Sequence, residues 1–251
     1  MFWSCKLYQL NPKVDSHVKS LLSDVGKEYE YKKSEYKDEA TSLKVHISAV
    51  QSNIYGQLCS IDIDRIIYAF NREDGRFPVK ITTKLDIQIF ETSALPNFVG
   101  MFASDRIASV LSTAMTAVLR ETQDKVTLPF FETYFLLKEK EKELRQYFDN
   151  MTEISIDGVR DAYIRKAKFK GNYLGESEIY EKYVKDADIG GNVEFFGVSV
   201  DERTVILVSE GVIYTRQGSN RNESLNTVTK CITNIQKANA LRVKSDILTF
   251  E

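Results

Sequence analysis

The stretch VKITTKLDIQIFE, residues 79–91, decides the fold class. Ile81, Thr83, Leu85, Ile87 and Ile89 occupy alternate positions, with Lys84, Asp86 and Gln88 between them. A period of two puts the first set on one face of a strand and the second on the other, so a half-buried strand is predicted. Upstream, KVHISAV (44–50) and QLCSIDIDRIIYAF (57–70) are equally rich in β-branched and aromatic residues, which suit a pleated surface. NREDGRFP (71–78) separates two of these runs, and its Asp74-Gly75 tolerates the positive φ of a tight hairpin turn. An antiparallel sheet with one face on a core follows.

Outward from this sheet the period changes. Ile107, Val110, Leu111, Ala114 and Val118 recur at spacings of three and four, which makes one apolar helical stripe over 103–121. Ser104 can cap that helix and Asp105 suits its first turn. A second helix is expected from Glu132 to Phe148, anchored by Leu137, Leu144 and Phe148. Its middle, KEKEKE (138–143), places opposite charges three apart and like charges four apart, so their effects partly cancel. It reads as a solvated connection between two halves. After DNMTE (149–153) the expected order is a strand at 163–170, a helix near 177–187, strands at 192–200 and 204–216, and a helix at 226–242 carrying Val228, Ile232, Ile235 and Leu241. The mixed-charge KEYEYKKSEYKDE (27–39) reads as an exposed ribbon or a loop. The predicted fold class is therefore α+β. An antiparallel β-rich part with one packed helix (1–122) and a smaller strand–helix–strand–strand–helix part (151–251) are joined by a charged helix (123–150).

With 43% hydrophobic and 28% charged residues, the chain has enough apolar content for packed cores and is not of the disordered class. A net charge of −2 argues against a wholly basic nucleic-acid coat and leaves room only for a local patch. Cys5, Cys59 and Cys231 are odd in number and far apart, which points to buried thiols in a reducing compartment. MFWSCKLYQLNPK (1–13) lacks the charge-then-apolar pattern of a leader, and the apolar run 108–119 is too short to span a bilayer. A soluble, cytoplasmic protein without a membrane partner is expected.

Chemistry is sparse. His17 and His46 are the two histidines, and neither stands in a catalytic pattern; His46 alternates with Val45 and Ile47 on a strand. In SIDID (60–64), Asp62 and Asp64 share a strand face about 7 Å apart, a spacing at which paired carboxylates can hold Mg²⁺ for a nuclease. The plainer reading sets Ile61 and Ile63 on the core and both aspartates in water. GNYLG (171–175) and IGGN (189–192) fall short of a phosphate-binding loop, so no nucleotide or other cofactor and no small-molecule substrate is expected.

The functional lead is RDAYIRKAKFKGNY (160–173), with five positive charges, one negative charge and three aromatic rings. As a strand, it puts Lys166, Lys168 and Lys170 on one face at about 6.6 Å intervals, near the repeat of nucleic-acid phosphates. Tyr163, Phe169 or Tyr173 would stack on bases, and Arg160 and Arg165 add planar cations. Arg216 and Arg221 in TRQGSNRNES (215–224) bring further charge to the same half. The competing reading is a wet edge strand whose lysines deter aggregation. A second lead is LPFFETYFLL (128–137), where Phe130, Phe131, Tyr134 and Phe135 form either a docking face for a protein partner or buried core.

The sequence thus predicts a non-catalytic accessory subunit that binds DNA or RNA at 160–173 and works in a hetero-complex with a partner protein carrying the chemistry. The companion half of a split nucleic-acid-guided machine is one example. The alternatives are a protein-interaction module without nucleic acid and a metal-dependent nuclease using Asp62 and Asp64.

Overall fold

The computed structural model describes residues 2–36, 39–72, 75–93, 95–122, 128–148, 150–161, 163–216 and 221–244, with the backbone alone at 2, 33–36, 39–40, 71, 122, 216 and 221. The chain is α+β, as the alternating patterns predict, and forms two compact units. One consists of Tyr8–Phe131 and the other of the remaining described residues.

In the first unit, the end of β1 (Phe2–Leu10) leads to helix α1 (Asp15–Ser23). Strands β2 (Glu28–Tyr36), β3 (Glu39–Asn53), β4 (Gly56–Asn71), β5 (Gly75–Phe90) and β6 (Phe98–Phe102) then pair antiparallel in that spatial order. Helix α2 (Asp105–Thr122) follows. The mixed-charge 27–39 stretch therefore contributes β2. Ile61 and Ile63 of β4 and Leu85, Ile87 and Ile89 of β5 turn to one core with Ala108, Leu111, Ala114 and Met115 of α2. Period two on the sheet thus meets period 3.6 on the helix, and the two alanines let the helix approach closely. Gln88 departs from expectation: it is fully buried, and its amide accepts from Asn53 Nδ2 at 2.7 Å and donates to the Ile89 carbonyl at 2.9 Å. Satisfied at both ends, it costs little to bury.

The β4–β5 ladder runs the full length of both strands, closing at Asn71 opposite Gly75. Gly75 has φ +70°, the left-handed conformation expected of that turn; Asp74 lies outside the described residues. The register of β4 with β3 ends at Ile63 opposite Val45. Beyond that point β4 and β5 continue as a two-stranded ribbon.

In the second unit, Phe2–Lys6 of β1 pairs with β12 (Val212–Arg216). From β12 the sheet continues through β11 (Arg203–Val208), β10 (Asn192–Val200), β8 (Met151–Asp157) and β9 (Lys166–Lys170), all antiparallel. Its buried face carries Ile154, Ile156, Phe196, Val198, Val205, Leu207 and Ile213. The helix expected near 177–187 is short, α4 (Glu178–Tyr180) with a wider helical turn at Glu181–Lys185, and helix α5 (Arg221–Lys237) presents the predicted Val228, Ile232 and Ile235, all with no exposed surface. Leu241 belongs instead to β13 (Leu241–Val243). The predicted strand 204–216 is two strands, broken at Ser209–Gly211. β1, α1, β6 and β8 are elements that the periodic patterns do not predict.

The helix expected over Glu132–Phe148 is a correction. Residues 130–135 form strand β7 (Phe130–Phe135), paired with β13, and only α3 (Glu141–Leu144) is helical. FETYF is aromatic-rich and favours a half-buried strand, while like charges four apart in KEKEKE weaken a longer helix. Leu137, Leu144 and Phe148 are nevertheless buried.

Candidate interaction surfaces

Strand β9 is the terminal strand of its sheet, so one of its edges carries no ladder among the described residues. It is shorter than predicted. Arg160, Tyr163 and Arg165 lie in the loop before it, and Tyr173 lies after it with a left-handed φ of 56°. The alternation within it holds: Lys166, Lys168 and Lys170 are exposed, while Ala167 and Phe169 are half-buried. Phe169 stacks on Tyr183 with ring centroids 5.5 Å apart, so it is packed and not offered to a base. Tyr163 is 96% exposed and Tyr173 63% exposed. The side chains of Arg216 and Arg221 lie outside those described; their backbones end β12 and open α5.

Each lysine of the cationic row has a carboxylate neighbour. Lys166 Nζ lies 2.6 Å from Glu194 Oε1, and Lys168 and Lys170 lie 2.5 Å and 3.7 Å from Glu153 Oε1. Register explains the pairing, since Lys170 stands opposite Glu153 and Gly197 stands opposite it on the other side. A Cβ at Gly197 would come within 2.6 Å of Glu153 Cβ, so this glycine leaves room for the buried glutamate. The hydrogen bond to Glu194 holds the Lys166 ammonium above its usual pKa. Each exposed pair is weak, yet the carboxylates stay beside any incoming phosphate and repel it. Lys168 also lies 5.0 Å from the centre of the Phe195 ring, a cation–π distance.

The docking set is corrected in part. Phe130 is buried in its own unit's core against Tyr8, with centroids 6.0 Å apart, and Phe135 is 2% exposed. Neither presents a surface. Phe131 and Tyr134 are half-buried, and Tyr134 stands opposite Arg242 in the β7–β13 ladder.

Asp62 and Asp64 do share a face of β4, but each meets a cross-strand partner. His46 Nδ1 lies 3.5 Å from Asp62 Oδ2. Lys80 Nζ lies 2.9 Å from Asp64, and Thr82 Oγ1 donates to Asp64 Oδ1 at 2.8 Å. The Lys80 ammonium occupies the ground a divalent ion would take. Among the described residues no group of three His, Cys, Asp or Glu side chains is placed to hold a metal. His17 is exposed on α1. Cys5, Cys59 and Cys231 are buried free thiols, as expected; burial raises the pKa of all three, that of Cys59 to about 11.

Sequence reasoning missed the far end of the β4–β5 ribbon. Tyr68 is 61% exposed and Phe70 78% exposed, two positions apart and hence on the same face. Pro78 stands opposite Tyr68 and Arg76 opposite Phe70, with the Arg76 guanidinium 4.5 Å from the Tyr68 ring centre. Arg72 and Arg76 are matched in sequence by Glu73 and Asp74, so the ribbon end is aromatic without being basic. No family model, curated protein or solved structure matches the chain.

Proposed function

We propose that the protein is a non-catalytic accessory subunit that docks a partner protein through the end of the β4–β5 ribbon. The observation that carries this is the pair of exposed rings, Tyr68 and Phe70, beside Pro78 and Arg76. Tyr, Phe and Arg are enriched at protein interfaces, and Tyr and Arg also where those interfaces bind most strongly. An isolated two-stranded ribbon is marginal in water, so a partner that covers this one gains apolar burial and steadies the ribbon together. The balanced charge of the ribbon end favours a protein over a polyanion. No helix among the described residues is long and apolar enough to cross a membrane, and the buried reduced thiols fit a cytoplasmic setting. The test compares proteins retained from native cells by the wild type and by a Tyr68→Ser, Phe70→Ser variant. A partner present with the first and missing from the second is expected; identical sets contradict the reading.

A second reading, nucleic acid on β9, is favoured by one observation: Tyr163 is almost fully exposed in the loop before a strand whose lysine side chains are 52–71% exposed. It predicts that log affinity for a single-stranded oligonucleotide falls with log salt, and that Lys166→Glu, Lys168→Glu, Lys170→Glu abolishes binding. Binding that ignores both salt and substitution removes it.

A further inference from the structure

Beside the first turns of α2, the core face of the first unit opens into a groove of about 530 Å³. Leu43 and Val110 give it aliphatic walls. Lys32, Arg65 and Arg106 line it with three positive charges, and no carboxylate is among its described lining residues. Arg106, Ser109, Val110 and Thr113 reach it from one face of α2 because they recur at spacings of three and four.

These cations differ from their neighbours. Lys27, Lys44 and Lys80 of the same unit meet Asp24, Glu28 and Asp64 at 2.6–2.9 Å. Among the described residues, no carboxylate pairs with Lys32, Arg65 or Arg106. Arg65 is half-buried and donates from Nε to Thr83 Oγ1 at 3.0 Å, which fixes the guanidinium while its two terminal nitrogens keep their donors. A held guanidinium with its fork open is suited to a carboxylate.

We propose that this groove binds an acidic segment of the partner protein, with carboxylates on Lys32, Arg65 and Arg106 and an aliphatic side chain against Leu43 and Val110. The proposal rests on the docking reading above and adds the partner's chemistry: acidic residues interleaved with aliphatic ones. Charge complementarity selects the acid. The aliphatic walls select a peptide over a nucleic acid, because the one ring among the described lining residues, Tyr31, is tied by its hydroxyl to the Asp64 carbonyl.

The test is fluorescence anisotropy of the full chain with a labelled peptide of about twelve residues alternating Glu and Leu. A Lys-for-Glu version and an oligothymidine of equal length serve as controls. Lys32 and Arg106 are exposed, so Lys32→Glu, Arg106→Glu should fold normally, with the thermal melt as the check. Thr113→Trp fills the groove without changing charge. The acidic peptide is expected to bind the wild type alone among the three probes. Its affinity should fall about tenfold or more in each groove variant and stay unchanged in Tyr68→Ser, Phe70→Ser. Equal binding by the groove variants, or equal affinity for either control, overturns the groove whatever the ribbon does. Native partners retained by the ribbon variant overturn docking at the ribbon and leave the peptide result standing.

Discussion

Gly197 shows how one residue can set a surface. Its missing side chain lets buried Glu153 lie between β9 and β10, where one carboxylate pairs with both Lys168 and Lys170. Gly197→Ala should cost about 1–3 kcal/mol through overpacking, measured by urea denaturation. A change within experimental error would contradict the close approach. Asp64 makes the pH prediction. Burial raises its pKa, but hydrogen bonds from Lys80 and Thr82 outweigh burial, and the net shift is below the ordinary 3.8. A carboxylate with a depressed folded pKa contributes stability that is complete above its unfolded value and is lost as pH falls through the folded one. Below about pH 4 the wild type should therefore lose melting temperature faster than Asp64→Asn, while near neutrality the variant is less stable by about 1 kcal/mol. Parallel melting curves across that range would refute the assignment.

Elements were legible where one period dominates. The β4 and β5 patterns and the α2 stripe survive because each meets a single core at a fixed repeat. In α2, Ala114 is fully buried, so Ala114→Leu should destabilise by about 1–3 kcal/mol in the same denaturation assay. A neutral result would mean the helix packs more loosely than described. β7 was misread because its aromatics and the leucines after it fit both a strand and a helix, and only pairing with β13 decides. The break between β11 and β12 carries no Asn-Gly or Pro, just Glu210-Gly211, with Gly211 at φ +76°. The candidate surfaces were the least legible. The pairing of Lys168 with Glu153 depends on a register between distant segments. Tyr68 and Phe70 look like core residues until β3 is seen to leave β4 at Ile63.

Across the whole molecule, each unit reports its own integrity through a buried thiol. Cys59 belongs to the first unit, and Cys5 and Cys231 to the second. Burial keeps all three protonated near neutral pH, so a thiol reagent should react slowly with the native protein and stoichiometrically in denaturant. Rapid labelling of the native chain would contradict the described cores. Docking of a partner protein at the end of the β4–β5 ribbon is the central claim, and photo-crosslinking from that end in native cells tests it most directly. With a benzophenone amino acid at position 70, a discrete protein adduct that survives nuclease treatment is predicted, absent when the same group replaces exposed Thr82. A nuclease-sensitive adduct, or equal crosslinking from both positions, would contradict it.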